Sequence, residues 1–181
     1  MARRVFFSFH YERDIWRGNQ VRNCWVTKPD RDAAGFWDAA EFEQVKKQGP
    51  DAIKRWIDRN LEGTSVTVVL AGAETSNREW VDYEIQESLN KGNGLLCIRI
   101  HNMKDNDGNT DVKGDNPLDN YTAEQNGREV PLSLIYPTYD WVDHDGYENI
   151  GDWIEQAYLI ASRQELDPPS SRSASGSGCI R

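Results

Sequence analysis

The sequence predicts an α/β fold: a flavodoxin-like, five-stranded parallel sheet with helices on both faces. Three observations predict it. Short apolar segments alternate with longer segments of helical period, the pattern of repeated β-α units. Two of the apolar segments, "SVTVVLAG" (65–72) and "GLLCIRI" (94–100), are aliphatic or β-branched at nearly every position, as strands buried on both faces are. The helical segments between strands are long enough to cross back over the sheet, which makes successive strands parallel.

The elements follow in order. "VFFSF" (5–9) is an apolar, aromatic strand that opens into the polar loop "HYERD". Asp14 is placed to cap a helix over "IWRGNQVRNCWV" (15–26), where Val21, Cys24 and Trp25 share a face. Gly18 weakens that helix. The Pro-, Asp- and Gly-containing stretch that follows reads as a loop with a short strand around 36–39. Pro50 then starts a helix with Ile53, Trp56, Ile57 and Leu61 on one side and Gly63 as its stop. After strand 65–72, "SNREWVDYEI" opens a helix over 77–91. Ser76 and Glu79 have capping-box spacing, Val81, Ile85 and Leu89 form its core stripe, and Gly92 ends it. Residues 102–130 follow strand 94–100 and are polar and rich in Asn, Asp and Gly, a long loop. "TYDWV" (138–142) is the last strand. A helix over 149–162 closes the fold, turning Ile150, Trp153, Ile154, Ala157 and Ala161 inward. The domain is expected to span 1–163, followed by a flexible Ser-, Pro- and Gly-rich tail over 164–181.

Composition narrows the function. With 181 residues the chain is long enough for one domain with a real core. Its 21 Lys and Arg against 30 Asp and Glu give a net charge of −9. An acidic surface repels a phosphate backbone, so nucleic acid is excluded as a partner. Cys24, Cys97 and Cys179 form no CxxC, which suits buried thiols in a reducing cytoplasm. The N-terminus lacks the apolar core of a secretory signal, and no apolar run is long enough for a membrane. A cytoplasmic protein is expected.

The chemistry is expected where strands 5–9 and 65–72 end, in the loops "FHYERD" and "AGAETS". Ligands of parallel sheets bind at the carboxyl ends of the strands. The helix that follows "AGAETS" starts at the same edge. Trp80 and Glu84 lie one turn apart on it, off the Val81–Ile85 stripe, so they are expected to flank a crevice instead of filling the core. Trp80 offers a flat face for a nucleobase or a nicotinamide ring. Glu84 offers a carboxylate that can stabilise an oxocarbenium-like centre or polarise a ribose hydroxyl. A Trp covering core and a Glu in solvent fit the same spacing. Arg13, Arg17 and Arg22 fit both a pyrophosphate contact and an ordinary exposed face. Ser8 has no G-x-S-x-G around it and reads as a small residue in a strand. "DNDGNTD" (105–111) hints at calcium, but the twelfth position from Asp105 is Asn116, so a solvated turn is preferred and no metal is expected. His10, His101 and His144 form no i, i+4 pair, and no GxGxxG or P-loop is present.

Together "RVFFSFHYERD" and "SNREWVDYEI" resemble the opening strand and the helix motif of TIR domains, and "WVxxEI" is similar to the NAD-cleaving ones. More narrowly, "FFSFHYERDIWRGNQVRNCWV" and "GPDAIKRWIDRNLEGTSVTVVLAG" resemble the bacterial TIR-like family that includes the ThsB proteins of Thoeris antiphage defence. The resemblance covers roughly residues 4–162. It implies a TIR-like sheet and cleavage of the nicotinamide–ribose bond of NAD+, with NAD+ as substrate and no cofactor. It implies Glu84 as the catalytic residue, with Trp80, Phe9, His10 and Tyr11 at the substrate. It further implies a cyclic ADP-ribose-type signal, a separate effector reached by that diffusible nucleotide, a phage-derived trigger and self-association of TIR domains. The usual loop after the second strand is not recognisable in residues 26–50, which leaves Phe36, Trp37 and Asp38 without assigned roles. Two other functions remain open at this point: a non-catalytic TIR-like scaffold, and a nucleoside deoxyribosyltransferase-like enzyme, which also uses a Glu on a similar sheet.

Overall fold

The computed structural model describes residues 3–27, 31–34, 39–163 and 170–171. Its main sheet has five strands: β1 (Arg3–Phe9), β2 (Arg31–Ala34), β3 (Val66–Ala71), β4 (Gly94–Arg99) and β7 (Thr138–Asp140). Their spatial order is β2-β1-β3-β4-β7, with every neighbouring pair parallel. This is the expected flavodoxin-like sheet. The chain reverses its winding direction between β1 and β3, which makes their carboxyl ends the crevice of the fold. Phe9, the last residue of β1, stands beside Leu70 of β3 there.

The central strands are buried on both faces, as their unbroken apolar runs require. On one face Val69, Ala71, Leu95 and Cys97 pack with Val81 and Ile85 of α4 (Glu79–Asn90). On the other, Val68, Leu70, Leu96 and Ile98 share a core with α1 (Tyr11–Val26) and α6 (Gly146–Arg163). That core takes Val21, Cys24 and Trp25 from α1, and Ile150, Trp153, Ile154 and Ala157 from α6. Ala161, expected inward, is half-buried. The contacts of α3 (Pro50–Leu61) are as its pattern requires: Ile53, Trp56, Ile57 and Leu61 are all buried. Cys24 and Cys97 are both buried, and the Cys24 thiol donates to the Tyr147 carbonyl at 3.5 Å.

Several boundaries differ from expectation. The first helix begins at Tyr11, and His10 precedes it without a side-chain cap. Asp14 therefore caps nothing; it lies inside the first turn, 1% exposed, and turns inward to Arg17. Gly18 is not a weakness in context. A Cβ there would stand 3.0 Å from the Phe9 ring, so its absence lets α1 lie close on β1. Among the described residues the second strand is 31–34, and the stretch expected as a strand around 36–39 lies mostly outside them; next comes α2 (Ala39–Lys47), AAEFEQVKK, rich in Ala, Glu, Gln and Lys. Residues 35–38, with Phe36, Trp37 and Asp38, lie outside the described residues.

Ahead of α4, Thr75–Asn77 forms a 3₁₀ turn, where the Thr75 hydroxyl accepts the Gly72 N–H at 2.9 Å. Ser76 is held in that turn, so the Ser76–Glu79 capping box does not form. Residues 102–130 are not one loop. They contain β5 (Tyr121–Gln125) and β6 (Arg128–Pro131), an antiparallel hairpin turning at Asn126–Gly127, both of positive φ. A short helix, α5 (Leu132–Ile135), follows β6. Ser170 and Ser171 pair with β5 as β8. The rest of the tail expected over 164–181 lies outside the described residues. Among the described residues no helix is long and apolar enough to cross a membrane.

Candidate active site

The inner face of α4 carries an acid. Val81, Glu84, Ile85 and Ser88 are the buried side of this helix, so Glu84 does not flank the core as its spacing suggested but lies in its wall, 1% exposed. One bond crosses to it from the sheet. The Ser8 hydroxyl on β1 donates to Glu84 Oε2 at 2.5 Å, while Glu84 Oε1 has no hydrogen-bond partner. Burial pushes the carboxyl up to about 8, and the Ser8 bond pulls it part of the way back. At neutral pH the resting group is therefore mostly the protonated acid.

A polar network clamps α4 at this level. Ser88 Oγ donates to the Glu84 carbonyl at 2.6 Å, and Thr67 of β3 meets Ser88 at 2.7 Å. Asn93 donates to the hydroxyls of Thr64 and Thr67. The hydroxyls of Ser88, Thr67 and Thr64 are thus linked, which fixes the backbone carrying Glu84.

Glu84 forms part of the wall of a cavity of about 200 Å³. The loop from β1 into α1 supplies Phe9, His10, Tyr11 and Glu12, and α4 adds Trp80 and Val81. All five side chains singled out in the sequence, Phe9, His10, Tyr11, Trp80 and Glu84, therefore meet at one cavity. Trp80 is half-buried and packs on the core. Tyr11 links Phe9 and Phe42, with ring centroids 6.4 and 5.0 Å away, so one side is an aromatic wall. His10 is held below its ordinary value, first by burial and then by the Arg78 guanidinium, which leaves a neutral ring.

Three lining residues were invisible to the sequence reading. Phe42 and Lys46 belong to the unexpected helix α2, and Arg78 immediately precedes α4. Lys46 bonds Glu12 at 2.6 Å, and Arg78 pairs with Glu74. Ser8 was seen but read as a space-filler. Its signal was a lone hydroxyl in an otherwise apolar strand.

The cavity is smaller than the roughly 300–1,000 Å³ of pockets that enclose a drug-sized ligand, so it holds a ring and a sugar, not a whole dinucleotide. Two larger hollows, about 540 Å³ along α6 and about 500 Å³ between α2 and α3, are shallow and have no buried titratable group in their linings.

Other candidates have structural duties. Arg13 grips Asp111 through two bonds of 2.9 Å and reaches Glu74 at 3.2 Å. Arg17 is buried and donates to the Met103 and Asn109 carbonyls at 2.9 and 3.0 Å and to Asp14 at 3.3 Å. Both tie the loop after β4 to α1, and neither lines the cavity; nor does Arg22. Burial pushes Asp14 up to about 6 against the pull of Arg17. Asp105 spends its Oδ1 on the N–H groups of Asp107 and Asn109, a closed turn. Among the described residues no cluster of three His, Cys, Asp or Glu is placed to hold a metal. His144 accepts the Asp140 N–H and His101 lies 3.6 Å from the Asp140 carboxylate, both at the end of β7.

Comparison with known proteins agrees with this architecture. The family described as "Thoeris protein ThsB, TIR-like domain" matches residues 6–105, a span holding most of β1, all of β2 to β4 and every lining residue of the cavity. A curated Bacillus cereus (strain MSX-D12) protein named "Putative cyclic ADP-D-ribose synthase ThsB1" is 40% identical over 191 residues, covering 85% of this chain and 100% of that protein. The chain belongs to the ThsB family of TIR-like Thoeris proteins.

Proposed function

We propose that this protein cleaves the nicotinamide–ribose bond of NAD+ and closes the remaining ADP-ribose into a cyclic nucleotide that signals to a separate effector in antiphage defence. The observation that carries this reading is a single buried acid, Glu84, bonded to Ser8 and set in an aromatic cavity of sugar-and-ring size. The name borne by the Bacillus cereus relative supports the same chemistry.

The nicotinamide ribose enters the cavity against Trp80 and the Phe9–Tyr11 wall, with its hydroxyls toward Glu84. Nicotinamide in NAD+ is a cation, and a cation beside a buried acid favours loss of the acid's proton. The carboxylate so formed stabilises the positive charge that grows on the ribose as the C1′–N bond breaks. The bonding pair leaves with nicotinamide, which departs neutral. A nucleophilic group of the same molecule then captures the sugar and gives up its proton. A reacting carbon held against a buried Glu84 would be poorly reached by bulk water, which favours this internal capture over hydrolysis. The diphosphate remains outside, near Lys46 and Arg78.

The test is nicotinamide release by purified protein, and by protein in extracts of phage-challenged cells, since a phage-derived trigger belongs to the reading. Wild type is expected to release nicotinamide and a product lighter than ADP-ribose by one water. Glu84→Gln is expected to lose at least about a hundredfold in rate. Undiminished turnover in Glu84→Gln would remove the acid from the reaction.

A further inference from the structure

Ser8 is the one polar residue in the buried run Val5–Phe9 of β1. Val5, Phe6 and Phe7 before it and Phe9 after it are buried and apolar, and Ser8 itself has no exposure. A hydroxyl in such a place is costly unless it is bonded. Its bond runs from β1 to α4, across 76 residues of sequence, to the buried acid of the cavity. The other oxygen of that acid is left without a partner.

We infer that Ser8 is a positioning residue for the reaction: its hydroxyl holds Glu84 Oε2, fixes the plane of the carboxyl and reserves Oε1 for the substrate ribose. A carboxyl held at one oxygen can rotate only by breaking that bond. The backbone below is already clamped through Ser88 and Thr67, so the Ser8 bond sets the one freedom that remains, that of the side chain. Because the donor is neutral, it favours the ionised acid without forming an ion pair that would quench it. A lysine or arginine at position 8 would hold the carboxylate permanently charged. An alanine would leave it free to turn and more strongly protonated.

The role in catalysis rests on the NAD+ reading; the pairing itself does not. The titratable groups that face the same cavity are His10, Tyr11 and Glu12 at the start of α1, Lys46 on α2 and Arg78 ahead of α4. β3 and β4 bring none to it. Burial and the Ser8 bond are the two influences on Glu84, so a change at Ser8 has a distinct signature.

The test compares the full-length chain, Ser8→Ala and Ser8→Thr, each with and without Glu84→Gln. Urea unfolding from pH 5 to 10 reads the acid directly. The stability difference between each protein and its Glu84→Gln partner changes with pH until the carboxyl ionises, then levels. Ser8→Ala is expected to move the levelling point up by about one pH unit. Ser8→Thr keeps the hydroxyl and is expected to leave it in place. The same titration followed by carbon NMR of the carboxyl serves if Ser8→Ala unfolds too readily. In nicotinamide release, Ser8→Ala is expected to lower kcat by about ten- to a hundredfold with little change in KM, and to shift the acid limb of the pH profile upward. Coincident levelling points for Ser8→Ala and wild type would overturn the inference. A shifted levelling point in a protein that releases no nicotinamide would uphold the pairing and overturn the NAD+ reading instead.

Discussion

Lys46 and Glu12 meet at 2.6 Å and join the end of α2 to the start of α1 at the rim of the Glu84 cavity. Both are exposed, so the pair adds little to stability. On the NAD+ reading its weight falls on binding, because a substrate diphosphate left outside the cavity would compete with Glu12 for the ammonium. Lys46→Glu is expected to raise KM for NAD+ by about tenfold, an effect that shrinks as salt rises, with the melting temperature nearly unchanged. Steady-state kinetics at low and high ionic strength check it.

Glu84 makes stability depend on pH in an unusual direction. Unfolded, its carboxyl ionises near 4.5; folded, near 8. Between those values the native state holds a proton that the unfolded chain has released, so raising the pH favours unfolding. Wild type is expected to lose stability relative to Glu84→Gln from about pH 4.5 to pH 8, by at most about 1.4 kcal/mol per pH unit, and to run parallel to it outside that window. Paired denaturation curves across the range measure this.

Arg17 is a buried cation bonded to two carbonyls and Asp14, with Asp105 and Asp111 also within 4 Å. Arg17→Met strands the two carbonyls and Asp14 and is expected to cost about 3–5 kcal/mol at neutral pH. Asp14 already ionises only near 6, and without Arg17 it would do so higher still. The loss is therefore expected to be smaller at pH 4, where the folded protein holds this acid neutral with or without Arg17. Hydrogen exchange in residues 101–111, the segment Arg17 anchors, is expected to quicken.

Gly114 lies over the end of β3. A Cβ there would stand 2.1 Å from the Gly72 carbonyl oxygen, and backbone cannot rotate aside as a side chain can. Arg99 also bonds the Gly114 carbonyl at 2.7 Å, which holds the contact in place. Gly114→Ala is expected to destabilise the fold by about 1–3 kcal/mol in urea unfolding.

The sheet was legible because its strands announce themselves: β3 and β4 are apolar throughout, and α3 and α6 carry clean stripes. The site residues were legible as types, but not all in their settings. Trp80 and Glu84 were placed on the right helix, yet Glu84 was assigned to a flank. Helical spacing cannot tell that Ser8, on a distant strand, makes a buried carboxyl acceptable. Lys46 and Phe42 were missed because "AAEFEQVKK" was merged with the Pro- and Gly-bearing loop around it. The hairpin turning at Asn126–Gly127 was readable from that dipeptide and was lost in the general polarity of 102–130. Asp14 looked like a cap because caps are usually Asp, and only its inward contact with Arg17 shows otherwise.

The sequence separation of 76 between Ser8 and Glu84 also orders events during synthesis. A ribosome delivers the hydroxyl first, then the aromatic wall and α2, and the acid after all of them. Until β3 has docked beside β1, no truncated or half-made chain can assemble the pocket. On the NAD+ reading, the nascent chain is expected to stay inert until α4 has followed β3 into place beside β1.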